Sequence, residues 1–419
     1  MPRLYPPRNP ITIRYDGKPV VAQRDEPAVV ALVAAGHLAL ARSPKFHRPR
    51  GPSCLRAACD GCLARVDELP NVMTCRTPVA DGIRIESQNV VGPGRTDVLR
   101  AADWFFPEGM NHHELLASVP GAPRILQSLA RRVGGLGTLP KQDVSPAATA
   151  TRRVVDALVV GAGPSGMATA LELAKRGRRV EVIDEDLSWG GSTRAFLASP
   201  PSPWQCLSTA FGRAVTRSDV SMRPRTMVVG VYGDDVLVAS GGAVEVVTAR
   251  TLVLAPGAHD GTLPFEGNDV PGVMSARAGA FFLSHGVVAG RRTVIVVTEG
   301  GGPFGEEYAH AVPSAVVVRG TPVRVHGGAR VREVIIATVG GERQFECDVL
   351  LVDAPRSPAY EVCVQAGAEL VREARGFLVK APGGRIRDGV FAVGEAVGTK
   401  LQFDAVEHEA MAVSRSALS

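Results

Sequence analysis

Four cysteines carry the clearest chemistry in this 419-residue chain. They read Cys54-Leu-Arg-Ala-Ala-Cys59-Asp-Gly-Cys62, followed after twelve further residues by Cys75. Four residues separate the first two and two separate the next, the spacing of a plant-type [2Fe–2S] cluster. Three thiolates come from one tight loop, which wraps one iron and reaches towards the second, and the fourth arrives from a separate strand. Gly61 lets the backbone pass close to the sulfides, and the small Ala57 and Ala58 leave room for amide donors. Zinc is the rival for four thiolates. It favours two CxxC-like pairs well separated in sequence, whereas three of these cysteines crowd into nine positions. Four unrelated buried thiols are the plain alternative, and spacing and glycine together favour iron.

A second stretch can bind a phosphate. Val154-Val-Asp-Ala-Leu-Val-Val160 is followed by Gly161-Ala-Gly163-Pro164-Ser165-Gly166, then by an apolar run to Arg176 and by Arg179-Val-Glu-Val-Ile-Asp184. The order is strand, glycine loop, helix, strand, with the pyrophosphate expected at the helix N-terminus. Asp184, with Glu185 beside it, ends the second strand, where a carboxylate bonds ribose hydroxyls and repels a 2′-phosphate. FAD or NAD is therefore expected, and ATP could use the same adenine site. Trp189-Gly190-Gly191 follows, as in flavoproteins where a glycine pair approaches the cofactor.

Two later stretches return to the same sheet. Thr251-Leu-Val-Leu-Ala-Pro-Gly257 is a buried strand ending in a turn, and Asp388 to Gly394-Glu395 leads from a strand into a helix. Two-domain flavoproteins usually carry Gly-Asp at the latter place, its carboxylate on the flavin ribityl chain. Here Glu395 stands there with one methylene more. Between these returns Gly300-Gly-Gly302-Pro-Phe-Gly305 repeats the glycine pattern. The helix after it is short, the next strand ends in Arg319 rather than an acid, and Thr321 to His326 follows without an intervening helix. A reduced unit with a lost nucleotide site is expected; NADPH held through Arg319 is the alternative.

These sites need scaffolds. Ile11 to Val21 reads as two strands around an Asp16-Gly17 turn, and Pro27 opens an apolar helix, Ala28 to Ala35, stopped by Gly36. The expected fold class is α/β and α+β, in four parts. A β-grasp ferredoxin-like domain spans 1–90, and 91–152 is a linker or docking segment. A dinucleotide-binding flavoprotein domain covers 153–274 and 381–419, and a reduced second nucleotide-like domain covers 275–380. The linker includes the aromatic cluster Trp104-Phe105-Phe106, the adjacent His112-His113, a helix from about Ala122 to Val133 and a flexible run from Ser145 to Thr151.

Composition narrows the classes. The chain is 45% hydrophobic and 21% charged, as in a globular protein of two or three domains. Its net charge of +5 is modest, and no basic helix with interleaved aromatics argues for nucleic acid. The N-terminus lacks the apolar core of a signal peptide, and the longest apolar run, Ala28 to Ala41, is too short to span a bilayer. Of seven cysteines, Cys206, Cys347 and Cys363 lie outside the cluster loop and read as structural. That usage suits a reducing, cytoplasmic setting, and no CxxC downstream supports a dithiol reductase. The basic run Lys45 to Gly51, with Arg56, is either a solvated face or a surface for a phosphate or a partner.

Taken together, the residues resemble a known group. The order of domains, with Lys45-Phe-His-Arg-Pro-Arg-Gly51, Gly161-Ala-Gly-Pro-Ser-Gly166 and the stretch Ala255 to Met274, is similar to the α subunit of heterotetrameric sarcosine oxidase. It equally resembles its relatives in hydrogen cyanide synthase, opine oxidases and dye-linked proline dehydrogenases. The resemblance implies a hetero-oligomer in which an amino-acid-oxidase-like, FAD-dependent β subunit oxidises the amine. The α subunit then helps to enclose an FMN at the shared boundary and passes electrons on. Sarcosine oxidase proper lacks the cluster cysteines and carries a further C-terminal half, so a fused form of the cyanide synthase and amino-acid dehydrogenase branch is the expectation.

Joining a two-electron flavin to a one-electron cluster makes an electron-splitting device. The leading expectation is the electron-transfer subunit of an amine or amino-acid dehydrogenase. A self-sufficient NAD(P)H-dependent flavin and iron–sulfur reductase, and a nucleotide-carrying scaffold, are the alternatives. No catalytic residue is assigned; His259 beside Asp260 is the one candidate dyad. The substrate and terminal acceptor are not written in this chain.

Overall fold

The computed structural model describes residues 3–44, 46–88, 90, 118, 119, 121, 122, 124, 125, 128, 149–196 and 202–418. Lys45, Trp104-Phe105-Phe106, His112-His113, most of the expected helix from Ala122 to Val133 and most of the run from Ser145 lie outside them.

In the N-terminal domain, β1 (Pro10–Tyr15) alternates strictly, with Ile11, Ile13 and Tyr15 inward. Asp16 and Gly17 turn it with φ 48° and 76° into β2 (Lys18–Gln23), the positive-φ pair a tight hairpin needs. Helix α1 (Ala28–Ala34) is buried from Ala28 to Val33, and Gly36 at φ 90° follows it. Strands β3 (Ala41–Arg42) and β4 (Pro49–Arg50) pair with each other. Then come β5 (Leu63–Val66), β6 (Leu69–Met73) and β7 (Arg84–Glu86). The five-stranded sheet runs β2-β1-β7-β5-β6, with β1 and β7 parallel. Its end is tied back: Gln88 exchanges hydrogen bonds with Asn71, and Ser87 N–H donates to Asp16 at 2.7 Å.

The next stretch winds a parallel sheet. Strand β8 (Thr151–Val160) leads through the glycine loop into α2 (Pro164–Lys175) and β9 (Val180–Ile183). Helix α3 (Pro203–Thr216) starts at a capping box of Ser202 and Gln205 and returns the chain to β10 (Val220–Arg223). Strands β11 (Thr226–Tyr232), β12 (Asp235–Ser240) and β13 (Ala243–Leu254) are successive antiparallel neighbours, and β13 then lies parallel to β8. Across this sheet Arg153, Glu181, Arg223 and Glu245 form a ladder of ion pairs, Arg153 to Glu181 at 2.6 Å and Arg223 to Glu245 at 2.7 Å. On one side α2 packs a core of Ala162, Met167, Ala170 and Leu173 with Phe211 and Val413.

After β14 (Ala258–His259) and β15 (Val273–Ser275) come α4 (Ala276–Ser284), β16 (Thr293–Val297), α5 (Phe304–Ala311) and β17 (Val316–Arg319). Only Gly320 separates β17 from β18 (Thr321–Gly327), which forms an antiparallel sheet with β19 (Val331–Thr338) and β20 (Gly341–Glu346). Strand β21 (Val349–Asp353) completes a four-stranded sheet in the order β15-β21-β16-β17. Last come β22 (Ser357–Pro358), α6 (Glu361–Gln365), β23 (Glu369–Glu373), β24 (Gly376–Lys380), β25 (Arg385–Arg387), β26 (Val390–Ala392) and α7 (Phe403–Ser416). Strand β26 joins the larger sheet beside β13.

The described residues fall into two compact units. One comprises those within Met1–Val144, Leu263–Thr298 and Val312–Val352; the other those within Ser145–Thr262, Glu299–Ala311 and Asp353–Ser419. This differs from the expected division at 275 and 381. Residues 263–274 side with the N-terminal unit, where β15 pairs with β21 and Ser275 N–H donates to the Ser53 carbonyl at 2.9 Å. Residues 353–380 belong to the dinucleotide unit, because Cys363, Ala366 and Val379 bury their side chains with Val231, Val236, Leu252 and Val390. Strand β8 also begins earlier than expected, at Thr151, where Arg152 pairs with Asp235. Among the described residues no helix is long and apolar enough to cross a membrane.

Candidate functional site

The cluster loop arranges its four cysteines as two pairs. Cys54 donates to Cys59 with their sulfurs 3.4 Å apart, and Cys62 hydrogen-bonds to Cys75. Sharing one proton splits each pair: the Cys54 hydrogen bond holds Cys59 down to about 6 and its partner up. Likewise Cys75 is lowered by its bond from Cys62, and Cys62 is raised. Cys54, Cys62 and Cys75 are buried; Cys59 is partly open.

Backbone amides converge on these sulfurs. Arg56 N–H reaches Cys54 Sγ at 3.3 Å, Ala58 bonds Cys54, and Ala57 bonds Cys75. Leu55 and Ala57 hold φ 53° and 59°, a left-handed bend that turns successive N–H groups inward. Gly61 has a packing reason to be glycine as well. A Cβ there would overlap the carbonyl oxygen of Gly51, so neighbouring backbone demands the glycine. Thr74 fixes the fourth ligand's strand by donating to Cys62 O at 2.7 Å. Among the described residues no three His, Cys, Asp or Glu side chains meet as ligands of a single ion. Two pairs of thiolates suit the two irons of a [2Fe–2S] cluster.

Beside the loop, Arg50 pairs with Asp269 and Arg48 lies over the Phe46 ring at 5.3 Å. The basic run is thus partly spent on its own unit, Arg50 being committed to an acid.

The first glycine loop is drawn tight at its ends and open in its middle. A Cβ on Gly161 would strike Ala255 O, and one on Gly166 would strike Gly161 O, whereas nothing lies within 4 Å of one on Gly163. Gly163 is the N-cap of α2, with Pro164 and Ser165 opening the helix, so the open face is where a diphosphate can approach its amides. The Asp184 carboxylate accepts Ala162 N–H at 2.6 Å and Asp186 N–H at 2.7 Å. A carboxylate has about four acceptor sites, so ribose hydroxyls could bond the same group. Glu185 is exposed.

Two of the other expected glycines abut this loop. Gly190 N–H donates to Ala162 O at 2.8 Å, and a Cβ on Gly191 would lie 2.8 Å from Gly163 Cα. A Cβ on Gly394 would lie 2.8 Å from Ser165 Oγ. Gly257 instead has open space around it, its carbonyl accepting Ala359 N–H at 3.0 Å. His259 Nε2 lies 3.2 Å from Glu361 at an exposed site. Of the remaining cysteines, Cys347 and Cys363 are buried, each pushed up to about 12 by burial, and Cys206 is exposed.

Three residues escaped the sequence reading. Arg356 reaches Glu395, Glu409 accepts Gly394 N–H at 2.8 Å and Thr399 Oγ1 at 2.6 Å, and Asp353 accepts Gly305 N–H at 2.6 Å. None sits in a local motif, so only the fold could reveal them. Burial raises the Glu409 carboxyl above its ordinary range against those two bonds.

Residues 8–90 match the family described as a 2Fe-2S iron-sulfur cluster binding domain, and residues 155–325 match the pyridine nucleotide-disulphide oxidoreductase family. The alpha chain of sarcosine oxidase from Rhizobium meliloti is 30% identical over 80% of this chain and 37% of its own length. An opine oxidase subunit from Agrobacterium tumefaciens is 36% identical over 29% of this chain and 28% of its own. The chain is similar to this group of subunits. It spans well under half the length of these relatives. L-proline dehydrogenase from P. horikoshii shares the fold, with a TM-score of 0.74, 23% identity and coverage of 99% of this chain and 75% of that one. The chain thus joins an N-terminal stretch matching an iron–sulfur domain family to one matching a dinucleotide-binding oxidoreductase family.

Proposed function

We propose that this chain is the electron-transfer, α-type subunit of a flavin- and [2Fe–2S]-dependent amine or amino-acid dehydrogenase complex. The observation that carries the reading is the pairing of Cys54 with Cys59 and of Cys62 with Cys75, ringed by inward-facing amides. Each pair would hold one iron, and a cluster so held supplies single-electron transfer. Gly161, Gly163, Pro164, Ser165 and Gly166 would cradle the diphosphate of an FAD, with Asp184 on its ribose. The Gly191 turn and the Gly394-Glu395 loop would follow the rest of it. NAD and ATP present the same adenylate to these residues, and an FMN at the partner boundary is the group's further expectation.

Substrate oxidation is assigned to an amino-acid-oxidase-like, FAD-dependent β subunit, docking near Arg48 and Arg56. The setting is taken as cytoplasmic, since the four cysteines must stay reduced to bind iron. The test is to assay the purified chain, alone and co-expressed with such a flavoprotein, for dye reduction by amines. Activity should need both chains. Turnover of an amino acid by this chain free of any other polypeptide would reverse the assignment.

A further inference from the structure

The second glycine loop, Gly300 to Gly305, is supplied with an anion by its own chain. Asp353, 3% exposed, leaves the end of β21 and directs its carboxylate at the start of α5. Oδ2 accepts Gly305 N–H at 2.6 Å, and the carboxylate also accepts from the Gly302 backbone. In a dinucleotide-binding loop those amides receive the diphosphate. Arg356 locks the arrangement from the other side. It donates to Gly302 O at 3.0 Å, lies over the Phe304 ring at 4.9 Å, and ends 2.7 Å from Glu395.

We propose that Asp353 is the resident anion of the second glycine loop, closing it to nicotinamide dinucleotides and tying it through Arg356 to Glu395. A dinucleotide entering there would set its diphosphate against a buried carboxylate and compete for amides already bonded. Like charges at one site raise the cost of both, and the displaced Asp353 would have to bury its charge elsewhere or take a proton. Burial already pushes its carboxyl above the ordinary range, against the Gly305 and Gly302 amides and the charge of Arg356. Hydride from NADH or NADPH therefore has no entry at this loop. The inference is independent of what the first loop binds.

The test is thermal melting of the full chain, in whatever complex it is purified, with and without millimolar sodium pyrophosphate. Wild type is compared with Asp353→Ala and Asp353→Asn. The first glycine loop is the same in all three and adds the same increment to each, so the difference reports the second loop. Pyrophosphate should raise the melting temperature of the variants by more than that of the wild type, Asp353→Ala showing the larger gain. Equal increments, or a larger one in the wild type, would overturn the proposal. Should neither variant fold, equilibrium titration of the wild type with NADPH decides it. Two dinucleotides bound per chain would overturn it, and one or none would support it.

Discussion

Arg356 holds Glu395 through one oxygen: its Nε lies 2.8 Å and its Nη2 2.7 Å from Glu395 Oε1. Both side chains are close to fully buried, 12% and 9% exposed. Glu395 is therefore a structural counter-ion.

Removing one member of such a pair leaves a buried, uncompensated charge, at a cost of about 3 kcal/mol or more. Glu395→Gln should lower stability by about that amount, read from the denaturation midpoint. A loss below about 1 kcal/mol, the value of an exposed pair, would show that the pair is not buried as described.

Iron analysis of the purified chain should give about two irons per chain. Cys59→Ser should abolish the visible bands, while Cys206→Ser, at an exposed position, should leave them unchanged. Zinc in place of iron would defeat the cluster assignment.

The glycines of the first loop should separate binding from folding. Gly163→Ala has open space and φ −72°, a conformation alanine accepts, so its melting temperature should match wild type. Its methyl group would face the nucleotide, however, and the nucleotide released by heat should fall at least tenfold. Gly166→Ala meets Gly161 O and should lose both fold and nucleotide. Equal nucleotide content in Gly163→Ala and wild type would mean that the ligand lies elsewhere.

Acid should weaken the dinucleotide unit through Glu245. Arg223 and then Arg153 hold its carboxyl down to about 2, below the ordinary 4.5. A depressed folded-state value gives stability that is complete above the unfolded pKa and lost as pH falls from 4.5 towards 2. The difference in stability between wild type and Glu245→Gln should therefore be constant above about pH 5 and shrink below it. Chemical denaturation across that range measures it, and a gap that persists undiminished near pH 2.5 would contradict the linkage.

The local chemistry was legible in the sequence because short-range backbone geometry decides it. Three cysteines within nine positions can only form one loop, and a strand, Gly161 to Gly166 and a helix can only make one kind of turn. Asp16-Gly17 and Pro27 likewise act within a few bonds of themselves. What the fold alone decided are meetings between distant segments. Gly51 requires Gly61 to be a glycine, the hairpin Glu369–Lys380 belongs to the dinucleotide unit, and Glu409 holds Gly394 from the last helix. Above all, the second glycine loop keeps the spacing of a nucleotide site. Its use depends on Asp353, a residue 48 positions from Gly305 that no local pattern connects to it. Spacing sets which backbone amides point into a loop, whereas packing sets which anion reaches them.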